Sequence, residues 1–164
     1  MSRAFNVMGG SEMNAIILYD SQRGNTETIA EAIEGGMREA GFDDVYSQRG
    51  GETTHNELRE SDIWIFGCPT YKGKTSGKFR KLLRWMKKEK APDKMGFAFE
   101  TRLDDSEGGA AAVIEAVMRK CGVEIIHDTE SFVVEDWTGH LASGEEDRAL
   151  ALGRTIAEEI ADLS

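Results

Sequence analysis

The sequence predicts an α/β protein built on a doubly wound, five-stranded parallel sheet with strand order 2-1-3-4-5. Three observations predict it. Short apolar runs alternate with amphipathic helical stretches about five times along the chain. The strand-like runs are apolar throughout, as strands covered by helices on both faces must be. The length of 164 residues accommodates five such units around one core.

Each element follows from its own residues. Ala15-Ile16-Ile17-Leu18-Tyr19 is a buried strand, too short for a helix. After a glycine-containing turn, Thr26 to Ala40 sets Ile29, Ile33, Met37 and Ala40 on one helical face, stopped by Gly41. Within that helix the pair Gly35-Gly36 lowers propensity but permits close backbone packing. Asp44 to Ser47 is a weak strand and Asn56 to Arg59 a short helix. Ile63-Trp64-Ile65-Phe66 is a strong strand signal, ended by Gly67. Ser76 to Lys88 is a helix with Phe79, Leu82, Leu83 and Met86 inward, and Phe97-Ala98-Phe99 marks the fourth strand. Gly109 to Cys121 is helical, aligning Val113, Val117 and Cys121 ahead of Gly122. Val123 to Val134 holds the last strand, with room for an interruption. Glu145 to Leu163 closes the chain as a helix with Leu152, Ile156, Ile160 and Leu163 on one side.

Composition narrows the function. With 40% apolar and 30% charged residues, the chain is not of disordered type. A net charge of −10 argues against generic nucleic-acid binding, which rests on Lys and Arg neutralising phosphates. No apolar run approaches the roughly 18 residues of a transmembrane helix. Met1 to Glu12 lack the pattern of a signal peptide and are expected to form a flexible leader to one domain spanning residues 13–164. Cys68 and Cys121 lack metal-ligand spacing, and His55, His127 and His140 are scattered, so no metal site is expected. Two isolated cysteines point to a reducing, cytoplasmic location. The charge is segregated: Tyr71 to Lys94 holds ten basic and two acidic residues, a local +8, leaving −18 on the remainder.

In such sheets ligands bind beyond the carboxyl ends of the strands, beside the switch in strand order. That points to the loops after strands one, three and four. The first contains Ser21, Gln22, Arg23, Gly24, Asn25 and Thr26. Its hydroxyl and amide donors stand at a helix N-terminus, and Gly24 lets the backbone close around an anion, a setting suited to phosphate. An ordinary helix cap after a turn has the same composition. The loop is not a Walker loop, and it lacks the Gly-x-Gly-x-x-Gly pattern of dinucleotide sites. In the second loop Pro69 stiffens the chain, Gly73 permits unusual dihedrals, and Tyr71 either stacks on a flat ligand or is a plain surface tyrosine. Cys68 reads as an inert neighbour, since no base stands near it in sequence. In the third loop backbone groups of Thr101, Arg102, Leu103 and Asp104 can bond a ring edge, or its acids simply solvate the loop and favour the next helix.

In this order and on these strands, the three loops resemble those of the flavodoxin family. Ser21-Gln22-Arg23-Gly24-Asn25-Thr26 is similar to its Ser/Thr-rich loop ending Gly-Asn-Thr, and Gly67-Cys68-Pro69-Thr70-Tyr71 to its second flavin loop. The resemblance spans Asn14 to Ser164, without the insertion of long-chain members. It implies FMN bound without a covalent bond and single-electron transfer between redox partner proteins. Ser21 to Thr26 would hold the FMN phosphate. Pro69, Thr70, Tyr71, Lys72 and Gly73 would line the ring, with Tyr71 stacked on it, and Thr101 to Asp104 would meet its pyrimidine edge. Three residues depart from the family pattern. Arg23 stands at a hydroxyl position. Leu103 stands where the third loop has no aromatic. Lys72 stands where many members have Gly, which would leave the one-electron-reduced flavin less stabilised.

Lys72, Lys74, Lys78 and the following helix form either a solvated face or a docking patch, for an acidic redox partner or a pyridine-nucleotide phosphate. The alternative function is an FMN-dependent NAD(P)H oxidoreductase acting on a quinone or similar acceptor. The absence of a nicotinamide fingerprint and of a second-pocket insertion favours the carrier. No phosphoacceptor Asp ends the third strand, which sets aside a receiver-type regulatory domain.

Overall fold

The computed structural model of the chain describes residues 13–70, 75–103, 108–135 and 139–163. Strands β1 (Ala15–Tyr19), β2 (Val45–Arg49), β3 (Ile63–Pro69), β4 (Met95–Arg102), β5 (Glu124–Ile125) and β6 (Glu130–Val133) form one sheet in the order β2-β1-β3-β4-β5, with β6 also on β4. Every pairing between these strands is parallel. β5 and β6 occupy residues 95–96 and 99–102 of the same β4 edge. They are two halves of one interrupted fifth strand, so the order 2-1-3-4-5 holds.

Side chains alternate across a strand, so each helix layer meets every second residue. Helices α1 (Asn25–Glu39) and α5 (Glu145–Leu163) cover one face, packing Ile29, Ile33, Ile156 and Ile160 on Ile17, Ile65, Phe97 and Phe99. On the other face lie α2 (His55–Glu60), α3 (Gly77–Glu89) and α4 (Ala110–Cys121). There Phe79, Leu83, Ile114 and Met118 pack on Ile16, Leu18, Trp64 and Phe66.

Four expectations are corrected. β3 does not end at Gly67 but continues through Cys68 to Pro69. The Phe99 ring lies only 2.1 Å from where a Gly67 Cβ would stand, so this glycine makes room for a ring on the neighbouring strand. In α4, Val113 is 40% exposed, whereas Ile114, Val117, Met118 and Cys121 are buried. The i, i+3, i+4, i+7 stripe from Ile114 carries more apolar volume than the flank containing Val113 and so sets the rotation of the helix. Ala40 caps α1 rather than continuing its buried face, and Leu163, in the last turn of α5, is 51% exposed.

The two helices of the first face approach through glycine. A Cβ on Gly36 would stand 2.0 Å from the Leu150 carbonyl oxygen, and one on Gly153 would stand 2.1 Å from that of Ile33. The backbones therefore touch with no side chain between them. Gly35, one residue away, has its nearest neighbour, Leu150 Cδ1, at 3.6 Å.

The interruption of the fifth strand is held by His127. Its Nδ1 lies 2.9 Å from Glu159 Oε1 on α5 and its Nε2 lies 3.1 Å from Glu130 Oε2 on β6. Burial disfavours the imidazolium, but hydrogen bonds to Glu130 and Glu159 outweigh it and raise the pKa above its ordinary value.

Gly36→Ala and Gly153→Ala should each cost about 1–3 kcal/mol, because the opposing carbonyl cannot move aside. The roughly 1 kcal/mol gain in helix propensity is then visible only at Gly35→Ala, which should stabilise the fold. Urea unfolding of the three variants checks this, and equal effects at positions 35 and 36 would refute it. Because the His127 pKa is raised on folding, its contribution is complete below about pH 6.5 and lost as pH climbs through the folded value. Stability measured across that window should fall with rising pH in the wild type and lose this slope in His127→Gln.

Candidate functional site

The carboxyl ends of β1, β3 and β4 open into a cleft of about 310 Å³. It brings together Ser21, Gln22, Arg23, Asn25 and Thr26 from the first connection, Pro69 and Thr70 from the second, and Thr101, Arg102 and Leu103 from the third. Gly24 forms the turn itself, at φ +89°. Tyr71, Lys72, Gly73, Lys74 and Asp104 lie outside the described residues.

The N-terminus of α1 differs from those of its neighbours. No side chain caps it. In contrast, Thr54 and Glu57 form a capping box on α2, and Ser76 caps α3. On α4 the Ala110 amide donates to Thr70 Oγ1 at 2.9 Å and the Ala111 amide to Glu100 Oε1 at 3.1 Å. The first turn of α1 thus faces the cleft without an internal acceptor from a capping side chain.

The loop before it is braced from within. The Gly24 amide donates to Ser21 Oγ at 3.0 Å, and Arg49 Nη1 donates to the Ser21 carbonyl at 2.9 Å. Arg49 also lies 3.5 Å from Glu27, whose other oxygen accepts from the Tyr19 hydroxyl at 2.6 Å. Burial, then the bond to Glu27, hold the Tyr19 phenol well above its usual range, so it remains a donor. Asn25 Nδ2 donates to the Gly139 carbonyl at 2.8 Å, so this side chain latches two loops together rather than standing as a free donor. Arg23 reaches the same place, its Nη1 3.0 Å from where a Gly139 Cβ would be. Thr26 and Thr101 share a buried hydroxyl pair at 2.9 Å, joining α1 to β4.

A charged pair forms the floor beneath β3 and β4. Arg102 Nη1 lies 3.1 Å from Glu100 Oε2, with each side chain 7% exposed. Thr70 Oγ1 donates to Glu100 Oε1 at 2.7 Å, and Arg102 also donates to the Gly108 carbonyl. Gly109 passes directly over the pair at φ +138°, where a Cβ would stand 2.5 Å from both charged groups. Thr101 and Arg102 belong to β4 rather than to a loop. Their carbonyls accept from the amides of Thr70 and Val134. Leu103, 56% exposed, presents an apolar flank to the cleft. Cys68 is buried, and burial pushes its thiol up to about 12, in keeping with an inert residue. No cluster suited to a metal ion occurs among the described residues.

Sequence reasoning missed Val134 and Gly139 in the cleft wall, Arg49 behind the first loop, and Glu100 in the floor. No motif marks them; Val134 and Gly139 arrive only because β6 lies beside β4.

The flavodoxin family model matches residues 17–116. A flavodoxin of Clostridium saccharobutylicum is 31% identical over 102 residues, and the match spans 62% of this chain and 64% of that protein, less than two thirds of its length. A flavodoxin from the domain Archaea superposes with a TM-score of 0.74 at 24% identity, over 90% of this chain and 99% of the other. The rubredoxin oxygen:oxidoreductase of Desulfovibrio gigas superposes with 0.75 at 18% identity, over 96% of this chain but 37% of the other. These structural likenesses concern the fold.

Glu100→Gln removes the charge opposite a buried guanidinium and should cost roughly 3–5 kcal/mol in urea unfolding. Glu100→Gln/Arg102→Met, which removes both charges, should recover much of that loss.

Proposed function

The chain belongs to the flavodoxin family, whose members bind FMN and transfer electrons to redox partner proteins, and from that premise we propose that it is an FMN-binding electron carrier. One observation carries the reading: the N-terminus of α1, uncapped by any side chain, meets the cleft at the left-handed Gly24 turn. A phosphate dianion needs N–H and O–H donors and a favourable helix dipole, and that is the chemistry present.

Ser21, Gln22 and Thr26 would hold the phosphate, with Gly24 making the turn and Asn25 keeping the loop closed. Arg23, lying toward Gly139 across the cleft, would add a charge-assisted bond. Pro69 and Thr70, followed by Tyr71, Lys72 and Gly73, would line one side of the ring. Leu103 and Val134 would offer it apolar surface, and the segment from Thr101 to Asp104 would meet its polar edge. FMN supplies the one-electron chemistry when bound; the chain binds it, orients it and keeps water from it. The brace of Arg49, Glu27 and Tyr19 and the floor of Glu100 and Arg102 keep both loops in position. Two buried, unpaired cysteines support a reducing, cytoplasmic setting. No helix among the described residues is long and apolar enough to cross a membrane.

The purified protein should be yellow and release FMN on denaturation. Flavin-free protein should bind FMN at least about 100-fold more tightly than riboflavin, which lacks the phosphate, and Arg23→Gln should weaken FMN binding about tenfold. Flavin fluorescence titration measures both, and failure to take up FMN would refute the reading. Steady-state oxidation of NAD(P)H by the loaded protein would instead favour the oxidoreductase.

A further inference from the structure

In the fold, the basic segment of the sequence becomes one wall of a groove. Between α3 and α4 lies a second cleft of about 310 Å³. Arg80, Arg84 and Lys87 stand along it, and among the described residues none that lines it is acidic. Its floor is apolar, with Leu83 and Val117 buried and Val113 40% exposed. The acids on these two helices are engaged elsewhere, Glu89 with Arg59 at 3.0 Å and Glu115 with Arg119 at 3.7 Å. A merely solvated helix face needs no apolar floor between its cations. Thr75 at the groove's end belongs to the connection that leaves Pro69 and Thr70 at the first cleft, and Val113 lies in the turn of α4 that follows Gly109.

The opposite face supplies the contrast. Helices α1 and α5 carry Glu27, Glu31, Glu34, Glu39, Glu158 and Glu159. The chain as a whole carries −10, and α3, with Lys78, Arg80, Lys81, Arg84, Lys87 and Lys88 against Glu89, runs counter to that charge. Charge thereby selects the orientation of such a partner as well as its sign.

We propose that the groove docks an acidic segment of a redox partner, setting an aliphatic side chain on Val113 and carboxylates against Arg84 and Lys87. The partner's redox role rests on the electron-carrier reading; the groove's preference for acidic, apolar-anchored peptide does not.

The probe is a short fluorescent peptide alternating Asp and Glu with Leu, titrated into the full chain and followed by anisotropy, with a Lys-for-acid peptide as control. Binding should weaken with added salt, and Arg84→Gln/Lys87→Gln should weaken it about tenfold. Val113→Ser should weaken it without changing the salt dependence. Lys81→Gln/Lys88→Gln, on α3 outside the groove, should leave it unchanged. The proposal is overturned by any of three results: no salt-sensitive binding, equal losses from the two paired replacements, or self-association in sedimentation that Arg84→Gln/Lys87→Gln abolishes. The last would make a second copy the occupant. FMN uptake by the same samples separates the readings. Variants that take up FMN but lose the peptide support the groove, and a chain that binds peptide but no FMN supports the groove while removing the carrier.

Discussion

All the named strands run parallel, and that single constraint organises the molecule. Parallel neighbours must be joined by crossovers, and crossovers bring helix N-termini to the strands' carboxyl ends. Unpaired backbone amides collect along one edge as a result. Three of the five α-helices among the described residues meet this internally, through Thr54 on α2, Ser76 on α3, and Thr70 with Glu100 on α4. The first turn of α1 has no capping side chain. The cleft therefore lies beside the helix N-terminus that no side chain caps.

The same edge also explains why a carboxylate and a guanidinium are buried there. Glu100 accepts from Thr70, Ala111 and Arg102, so one side chain links β3, β4 and α4. Taking two charges out of water is costly, and here both carboxylate oxygens are occupied, Oε1 by Thr70 and Ala111 and Oε2 by Arg102. What it contributes is position. It ties the start of α4 to the strand ends that border the cleft.

The two faces of the sheet are built differently. On one, Gly36 and Gly153 let α1 and α5 touch through their backbones, and the outer surface is acidic. On the other, aromatic and long aliphatic side chains separate α3 from the sheet, and the outer surface is basic. The chain's net charge of −10 therefore describes solubility better than it describes any one surface.

By itself the sequence determined the alternation of strands and helices, the apolar centres of β1, β3 and β4, and the first cleft loop. Each is encoded by neighbours within a few positions, where period and turn chemistry act. The start and end of α5 were legible for the same reason. Gly67 misled because its meaning lies in the Phe99 ring on the next strand, and Val113 misled because rotation of α4 depends on the volume of Ile114 and Met118. Tertiary structure alone decided that Asn25 latches Gly139, 114 positions away, that Arg49 braces Ser21, and that Glu100 caps the start of α4. A parallel sheet pairs residues that are distant in sequence, so no local pattern can reveal which side chains will meet at its edge.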